Sequence, residues 1–207
     1  MLFRSNKPKT SFLLTKIEHY LLLALSLFHV KIRSLLVRKA FMLFVKKRRI
    51  NWRLVTAWGI VAEIVGFLSQ QFCGDVKGYY LSLNLPPLAP PTWLFGVAWG
   101  ILYFIMGATA GYIYQLHFKN KALADKQHQA NVIYRLQLVM NFFWSIVFFR
   151  WQSVTAALLL VIALLALNCY QLALYRALDK KAFNWLLPYV IWLAFATYLT
   201  LGVWILR

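Results

Sequence analysis

Residues 86–95 of the chain read Pro-Pro-Leu-Ala-Pro-Pro-Thr-Trp-Leu-Phe, and this stretch decides how the sequence around it folds. Proline fixes φ near about −65° and has no N–H, so four prolines within six residues cannot lie inside a helix or a central strand. An aromatic run without Lys, Arg, Asp or Glu follows directly and continues to Phe118. The stretch therefore predicts a rigid loop that leads into an apolar, tryptophan-bearing helix.

The composition indicates the class of protein. Of the 207 residues, 62% are apolar and 17% are aromatic, and the mean hydropathy is +0.63. The apolar share of a soluble domain is about half, so we predict an all-α integral membrane protein. The net charge of +18 would suggest a nucleic-acid partner in a soluble protein. Here Lys and Arg flank the apolar segments, which is the pattern of membrane topology, and we expect no nucleic-acid partner.

Five apolar segments are long enough to cross a bilayer, which takes about 20 residues. They run over residues 54–74, 92–118, 129–149, 153–175 and 183–206. Thr92 is expected to cap the second helix through its hydroxyl. Pro188 is expected inside the fifth helix, where neighbouring helices can satisfy the carbonyl that a proline leaves free. The sequence therefore predicts a five-transmembrane-helix bundle that occupies residues 51–207.

Residues 1–50 form a basic N-terminal extension before this domain. Its first 41 residues hold an apolar core at residues 20–30, which is too short to span about 30 Å of hydrocarbon. We interpret this part as an interfacial helix, a targeting segment, or an extension from an early start codon, since Met42 opens a stretch typical of a membrane protein's start.

The basic residues are divided unequally between the two sides of the predicted bundle. One side carries twelve: Lys46, Lys47, Arg48, Arg49, Arg53, Lys119, Lys121, Lys126, Arg135, Arg176, Lys180 and Lys181. The other side carries three: Lys77, Arg150 and Arg207. By the positive-inside rule, the N-terminal flank faces the cytoplasm and the loop at residues 75–91 faces outward. We expect a bacterial inner membrane, with the mitochondrial outer membrane as the alternative.

A stripe of small residues marks one face of the second helix. Gly96, Gly100, Gly107 and Gly111 are four, seven and four residues apart and so share a face. Such small-xxx-small spacing lets another backbone approach closely. The stripe predicts either a contact within the bundle or a dimer face, and in neither case ligand binding by side chains.

Three groups of residues carry a resemblance to a known family. They are Pro90-Pro91-x-Trp93-x-Phe95-x-x-x-Trp99-x-x-x-Tyr103, then Gln137-Leu138-x-x-Asn141-x-x-Trp144 with Phe148-Phe149, and Leu187-Pro188-Tyr189-x-x-Trp192-x-x-Phe195-Ala196-Thr197-Tyr198-Leu199. Their order and spacing resemble the TspO/MBR family, which includes tryptophan-rich sensory proteins and the translocator protein, or peripheral-type benzodiazepine receptor. The resemblance covers about residues 54–206.

This resemblance implies a five-helix bundle, usually dimeric, that binds porphyrins such as protoporphyrin IX, sterols or other flat hydrophobic ligands and needs no further cofactor. The implied pocket lies under the loop between the first two spans. Trp99 and Trp192 match the tryptophans tied in the family to light- and oxygen-dependent porphyrin degradation, which makes them the candidate catalytic residues. The candidate ligand-binding residues are Tyr80, Trp93, Trp99, Tyr103, Gln137, Asn141, Trp144, Tyr189 and Trp192.

The sequence departs from the family pattern at four positions. Tyr79 stands where a Trp is usual, Leu85 where a Lys is common, Val97 where a Pro precedes the helix tryptophan, and Thr200 where an Asn is common. The absence of the Trp and the Lys is expected to alter recognition of porphyrin carboxylates and photochemical efficiency, whereas the fold assignment is unaffected.

Aromatic residues in membrane proteins also have a simpler explanation, because tryptophan concentrates at the two interfaces of a bilayer. This explanation fits Trp52, Trp58, Trp151, Trp185 and Trp204. A tetrapyrrole is a flat disc with two carboxylates on one edge, so its site needs aromatic faces and few polar groups. We therefore expect Trp93, Trp99, Trp144 and Trp192 in the pocket.

A few polar residues remain. Glu63 lies inside a predicted span, where an ionisable residue is a functional candidate by default. Its carboxyl either makes a structural hydrogen bond to Gln137 or a tyrosine, or belongs to the pocket.

Cys73 and Cys169 have no metal or disulfide spacing, and we interpret them as residues that fill apolar space. The histidines, which are His19, His29, His117 and His128, have no ligand spacing, so no metal site is predicted.

Three functions are compatible with these features. The first is a membrane receptor for tetrapyrroles or related flat molecules, acting in porphyrin transport or stress regulation. The second is a light-driven porphyrin-degrading enzyme that uses Trp99 and Trp192. The third is a structural or assembly partner in the membrane, which a closed and dry bundle interior would favour.

Overall fold

The structure is a computed structural model that describes residues 50–207, so the interpretations given above for residues 1–41 lie outside the described part. Helices account for most of this part. They are α1 (Trp52–Gln71), α2 (Val76–Ser82), α3 (Thr92–Tyr114), α4 (Lys121–Ser145), α5 (Val154–Leu178) and α6 (Lys180–Ile205), with a π-helical turn, Ile146–Arg150, that continues α4. Five of these helices, α1 and α3 to α6, are long and apolar enough to cross a membrane. The predicted all-α, five-span architecture is confirmed.

The loops group at two ends of the bundle. We call the loop end the one that holds the proline loop at residues 83–91, the 150–153 turn and the C-terminus; Asn84 there donates to the Leu206 carbonyl oxygen at 3.0 Å, and Arg207 donates to the Gln152 carbonyl oxygen at 3.3 Å. We call the opposite end the basic end; it holds the start of α1, the loop at residues 115–120 and the α5–α6 connection at Asp179, and there the Asn51 amide donates to the Gln115 side chain at 2.8 Å. This arrangement agrees with the alternating course of five spans.

Several predicted helix bounds were wrong because hydropathy marks the part of a helix that crosses lipid and not its polar turns. The third span begins at Lys121, eight residues before the predicted Gln129, after the Asn120 side chain accepts from the Ala122 amide at 2.8 Å. The second span ends at Tyr114 rather than Phe118. Its last carbonyls are satisfied by Gln127, which donates to the Ile113 carbonyl oxygen at 2.6 Å.

The other helix ends also differ from the sequence predictions. α1 ends at Gln71, before Gly74, whose φ of +74° ends the helical run. Residues 176–181 were predicted as a loop, yet a single residue, Asp179, separates α5 from α6. Its carboxylate accepts from the Lys181 and Ala182 amides at 2.7 and 3.2 Å and so caps α6.

The connection between the first two spans contains a short helix that the sequence did not reveal. α2 begins after Asp75, whose carboxylate accepts from the Gly78 amide at 2.8 Å. The predicted capping role of Thr92 is wrong, because Thr92 is the first residue of α3 and follows Pro91 without a side-chain cap. Pro188 does lie inside α6, as predicted.

The glycine stripe of α3 divides into two halves. Near the basic end, Gly107 and Gly111 contact α1: a Cβ on Gly107 would collide with the Trp58 carbonyl oxygen and lie 2.7 Å from the Ala62 Cβ. Near the loop end, a Cβ added to Gly96 or Gly100 would have no atom within 4 Å beyond the local backbone of its own helix. The contacts of Gly107 and Gly111 with α1 therefore confirm the predicted contact within the bundle. The other half lines a cavity, which the sequence had not indicated.

This division predicts opposite outcomes for the same substitution at two glycines. Gly107→Ala should lower the unfolding temperature of the detergent-solubilised protein, because overpacking a close helix contact costs about 1–3 kcal/mol. Gly100→Ala is the matched control and should not lower it, since its methyl group enters open space. Equal unfolding temperatures for the two variants would show that α1 and α3 do not meet as described.

Candidate ligand-binding site

A cavity of about 510 Å³ lies at the loop end of the bundle. Its walls come from α1, α3, the end of α4 with its π-helical turn, and α6, and the proline loop contributes Leu85 and Pro86. Ligand pockets in proteins measure about 300–1,000 Å³. The cavity is therefore large enough for a ligand of drug or cofactor size.

Aromatic rings form one continuous wall of the cavity. The Trp99 ring centroid lies 6.1 Å from that of Trp144 and 5.9 Å from that of Tyr103. The Trp144 ring stacks on Phe148 at 5.4 Å with an interplanar angle of 13°. Such offset and tilted pairs hold rings in fixed orientations, so the ring contacts fix the shape of this wall.

The π-helical turn supplies part of this wall. Residues 146–150 continue α4 with a wider turn, which brings Phe148 and Phe149 to the cavity lining. Turns of this kind occur often at functional sites in helices. Nothing in the residue pattern marks the change of helix type, although Phe148-Phe149 belongs to the motif that carries the family resemblance.

The proline loop is held over the cavity by two hydroxyls. The Tyr80 hydroxyl donates to the Pro90 carbonyl oxygen, and the Tyr198 hydroxyl donates to that of Pro87, each at 2.8 Å. Pro86 packs on α6 at Gly202, where a Cβ would lie 2.6 Å from the Pro86 Cγ. The loop therefore acts as a roof that is attached to α2 on one side and to α6 on the other.

Burial affects one of these anchoring hydroxyls. Tyr80 is buried, which raises the pKa of its phenol above the usual value. The unperturbed pKa of tyrosine is about 10, so Tyr80 remains protonated, and a hydrogen-bond donor, throughout the physiological range.

A buried polar network lies behind the inner wall. Asn141 lines the cavity and donates to the Tyr189 hydroxyl at 2.7 Å and to the Gln137 carbonyl oxygen at 2.8 Å. The Gln137 side chain donates to Gln171 at 2.8 Å, and Gln171 donates to the Tyr175 hydroxyl at 3.0 Å. These bonds join α4, α5 and α6 by groups that would otherwise be unsatisfied within the bilayer.

The predicted ligand-binding residues fall into two groups. Five of them line the cavity: Tyr80, Trp99, Tyr103, Asn141 and Trp144. Four do not: Trp93, Gln137, Tyr189 and Trp192. Gln137 and Tyr189 are buried behind Asn141, Trp192 lies behind Trp99 at a ring distance of 6.4 Å, and Trp93 is 66% exposed. Binding by each of the nine stays a prediction.

The positions at which the chain departs from the family pattern also differ in location. Leu85 and Thr200 line the cavity, whereas Val97 is exposed. Tyr79 packs edge-on against Phe148 and Phe149 at ring distances of 5.8 and 6.4 Å. Two of the departures therefore change the cavity surface directly, and a third changes the packing behind it.

The lining has few charged groups. Among the described residues that line the cavity, Glu63 is the only one of Asp, Glu, Lys, Arg and His. The sequence marked Glu63 as an intramembrane acid and left its role open. Of the hydrogen-bond partners considered for it, Gln137 instead donates to Gln171. No group of three or more His, Cys, Asp or Glu that could hold a metal occurs within residues 50–207.

A bundle of five membrane-spanning helices that encloses an aromatic cavity defines an integral multi-pass membrane protein with a receptor or binding role. The chain belongs to the TspO/MBR family, whose family model matches residues 55–205. It is 33% identical to the tryptophan-rich protein TspO of Archaeoglobus fulgidus over 155 residues, which is 72% of this chain and 96% of that protein. It is 29% identical to the translocator protein of Bos taurus over 157 residues, which is 74% of this chain and 89% of the relative.

A bacterial relative shows the same similarity over a shorter stretch. The chain is 34% identical to the tryptophan-rich sensory protein of Cereibacter sphaeroides over 119 residues, which is 58% of this chain and 70% of that protein. The family predicted from the tryptophan, proline and asparagine motifs is thereby confirmed.

The roof contacts predict a local effect of removing one hydroxyl. Tyr80→Phe should increase hydrogen exchange at the Ala89 amide, which bonds to the Pro86 carbonyl oxygen within the loop. The hydrogen bond lost is worth about 0.5–1.5 kcal/mol, so exchange should speed up by about threefold to tenfold. Hydrogen-exchange mass spectrometry of the loop peptide would measure it.

A matched control uses the same substitution at the other end of the bundle. Tyr114 is exposed and packs on Trp58, so Tyr114→Phe should leave exchange in the proline loop unchanged. If Tyr80→Phe had no more effect than Tyr114→Phe, the hydroxyl of Tyr80 would not be holding the roof.

Proposed function

We propose that the protein is a membrane receptor that binds a tetrapyrrole such as protoporphyrin IX, or a related flat hydrophobic molecule such as a sterol, with a role in porphyrin transport or stress regulation. One observation carries this proposal: the rings of Trp99, Tyr103 and Trp144 form a continuous wall in a cavity of about 510 Å³ beneath the proline loop. A flat aromatic disc can stack on such a wall while its edge is shielded by the loop.

The charges around the cavity suggest how a tetrapyrrole would be oriented. The described lining has no Lys, Arg or His, so propionate groups gain nothing by lying deep inside. Lys77, Arg150 and Arg207 lie at the loop end, and Arg150 reaches Gly74, where a Cβ would be 3.5 Å from its Nη1. We therefore expect the carboxylate edge to face the loop end, with Arg150 as its partner there.

Orientation in the membrane follows from the same charges. The positive-inside rule favours the basic end, which carries Lys119, Lys121, Lys180 and Lys181, on the cytoplasmic side, so that the proline loop lies outside. We expect a bacterial inner membrane, since named relatives are bacterial and archaeal, with the mitochondrial outer membrane as the alternative for a translocator-like protein.

A homodimer is also part of this proposal. The glycine stripe does not supply its interface in full, because Gly107 and Gly111 are in contact with α1 of the same chain. A second copy would have to use another of the apolar faces that the spans expose, such as the one that carries Ile162.

Titration with protoporphyrin IX tests the receptor function. Binding should quench tryptophan fluorescence saturably at micromolar ligand, and Trp99→Leu should weaken binding by about tenfold, since an aromatic pair and its buried area are lost together. Trp151→Leu is the control: Trp151 is 65% exposed and does not line the cavity, so the affinity should not change. Absence of saturable quenching in the wild-type protein would refute tetrapyrrole binding.

A second candidate function is light- and oxygen-dependent degradation of the bound porphyrin. The observation that favours it is the Trp99–Trp192 pair, whose rings lie 6.4 Å apart at 87°. The Trp192 Nε1 is buried and has no hydrogen-bond partner in the described part of the chain. Indole is readily oxidised and reduced by one electron, so Trp99 at the cavity and Trp192 behind it are placed to exchange electrons with an excited porphyrin, while O2 supplies the oxidising equivalents that the degradation consumes.

Illumination in air distinguishes the two functions. If the protein is an enzyme, the absorbance bands of bound protoporphyrin should be replaced by those of a product, and Trp192→Phe should slow the change by at least about tenfold with little effect on affinity. Free porphyrin under the same light gives the background rate. Bleaching no faster than this background would leave the receptor function and remove the enzymatic one.

A further inference from the structure

Glu63 is an acidic residue in the wall of an otherwise uncharged cavity. It lies near the middle of α1, and no Lys or Arg occurs between residues 54 and 76. None of the described cavity-lining residues is basic. A carboxyl group at this depth of a bilayer is costly unless it faces the protein interior and finds a partner.

The carboxyl lacks a partner for one of its oxygens. The Glu63 Oε1 atom is buried and makes no hydrogen bond. The side-chain amides of Gln137 and Asn141 do not supply this partner, since Gln137 donates to Gln171 and Asn141 donates to Tyr189. Other buried atoms in the described part also lack a partner, among them Gln137 Oε1 and Trp192 Nε1, but Glu63 is the residue of that group that lines the cavity, where a ligand can supply the missing bond.

Aromatic faces lie next to the acid. Gly66, one turn after Glu63 on the same side of α1, packs on the Tyr103 ring, where a built Cβ would lie 3.1 Å from the ring carbons. Tyr103 is adjacent to Trp99, and Trp99 to Trp144. Electron-rich ring faces attract cations, most strongly where water is excluded.

A carboxyl with an unpaired oxygen, placed beside several aromatic faces, has the chemistry that recognises an organic cation. We propose that this cavity binds a flat lipophilic cation, such as a quaternary aromatic ammonium ion, with Glu63 as its counter-ion and Trp99, Tyr103 and Trp144 as its stacking surface. The inference goes beyond tetrapyrrole binding and does not depend on it, because a tetrapyrrole gains from the aromatic wall but not from an acid.

Two ligands of the same shape isolate the effect of charge. N-methylacridinium carries a fixed positive charge, whereas acridine is neutral above its own pKa, and both are fluorescent. Their dissociation constants should be measured with the full-length protein in phosphatidylcholine nanodiscs, with empty nanodiscs as the blank. A zwitterionic lipid ensures that the membrane itself does not attract the cation.

The proposal predicts that the wild-type protein binds N-methylacridinium about tenfold or more tightly than acridine. Glu63→Gln keeps the size of the side chain and removes its charge, and it should abolish this preference while acridine binding is retained. Acridine binding thus reports that the cavity of the variant is still formed. Asp125→Asn, which removes an exposed acid of α4 outside the cavity, is the matched control and should preserve the preference.

Two results would overturn the proposal. One is equal affinity of the wild-type protein for the two ligands. The other is a preference for the cation that persists in Glu63→Gln, including the case in which both ligands weaken by the same factor, since an unchanged preference would mean that the carboxyl is not the counter-ion. Failure of protoporphyrin to bind would leave this inference untouched, so the two proposals fail independently.

Discussion

The close contact between α1 and α3 is the constraint on which the rest of the structure depends. Membrane helices gain no hydrophobic driving force by associating, so they rely on close packing, which small residues permit. Gly107 and Gly111 bring α3 against Trp58 and Ala62 of α1. Because the helices meet tightly there, and no atom lies within 4 Å of a built Cβ at Gly96 or Gly100, the space between them toward the loop end becomes the cavity.

The polar groups of the interior are arranged in two different ways around this cavity. Gln137 donates to Gln171, which connects α4 to α5, and Asn141 donates to the Tyr189 hydroxyl, which connects α4 to α6. Within α5, Gln171 also donates to the Tyr175 hydroxyl. Glu63, on α1, lines the same cavity and is left with an unpaired oxygen. Side chains that bond from one helix to the next fix a bundle, whereas an acid that lines the cavity with an unpaired oxygen is a place where a ligand can add a bond. The amide network therefore holds the helices together, whereas the Glu63 carboxyl is available to a ligand.

The sequence was sufficient for the fold because a bilayer restricts the possible structures so strongly. Any apolar segment of about 20 residues must form a helix there, since lipid offers no hydrogen bonds to the backbone. Features outside the lipid were not predictable in this way. α2 and the start of α4 at Lys121 consist of polar or mixed residues, and they become helical through caps from Asp75 and Asn120 that hydropathy does not detect.

The site was only partly predictable, and tryptophan illustrates the reason. Trp93 and Trp99 are both in the family motif, but they are six residues apart, which is about 120° from a common face at about 3.6 residues per turn. The cavity side of α3 instead follows Thr92, Phe95, Gly96, Trp99, Gly100 and Tyr103, a stripe at helical spacing. Trp93 lies off this stripe and is exposed. A motif identifies residues that relatives share, whereas the helical period decides which of them can face one cavity, and the two criteria together select Trp99 and Tyr103 over Trp93.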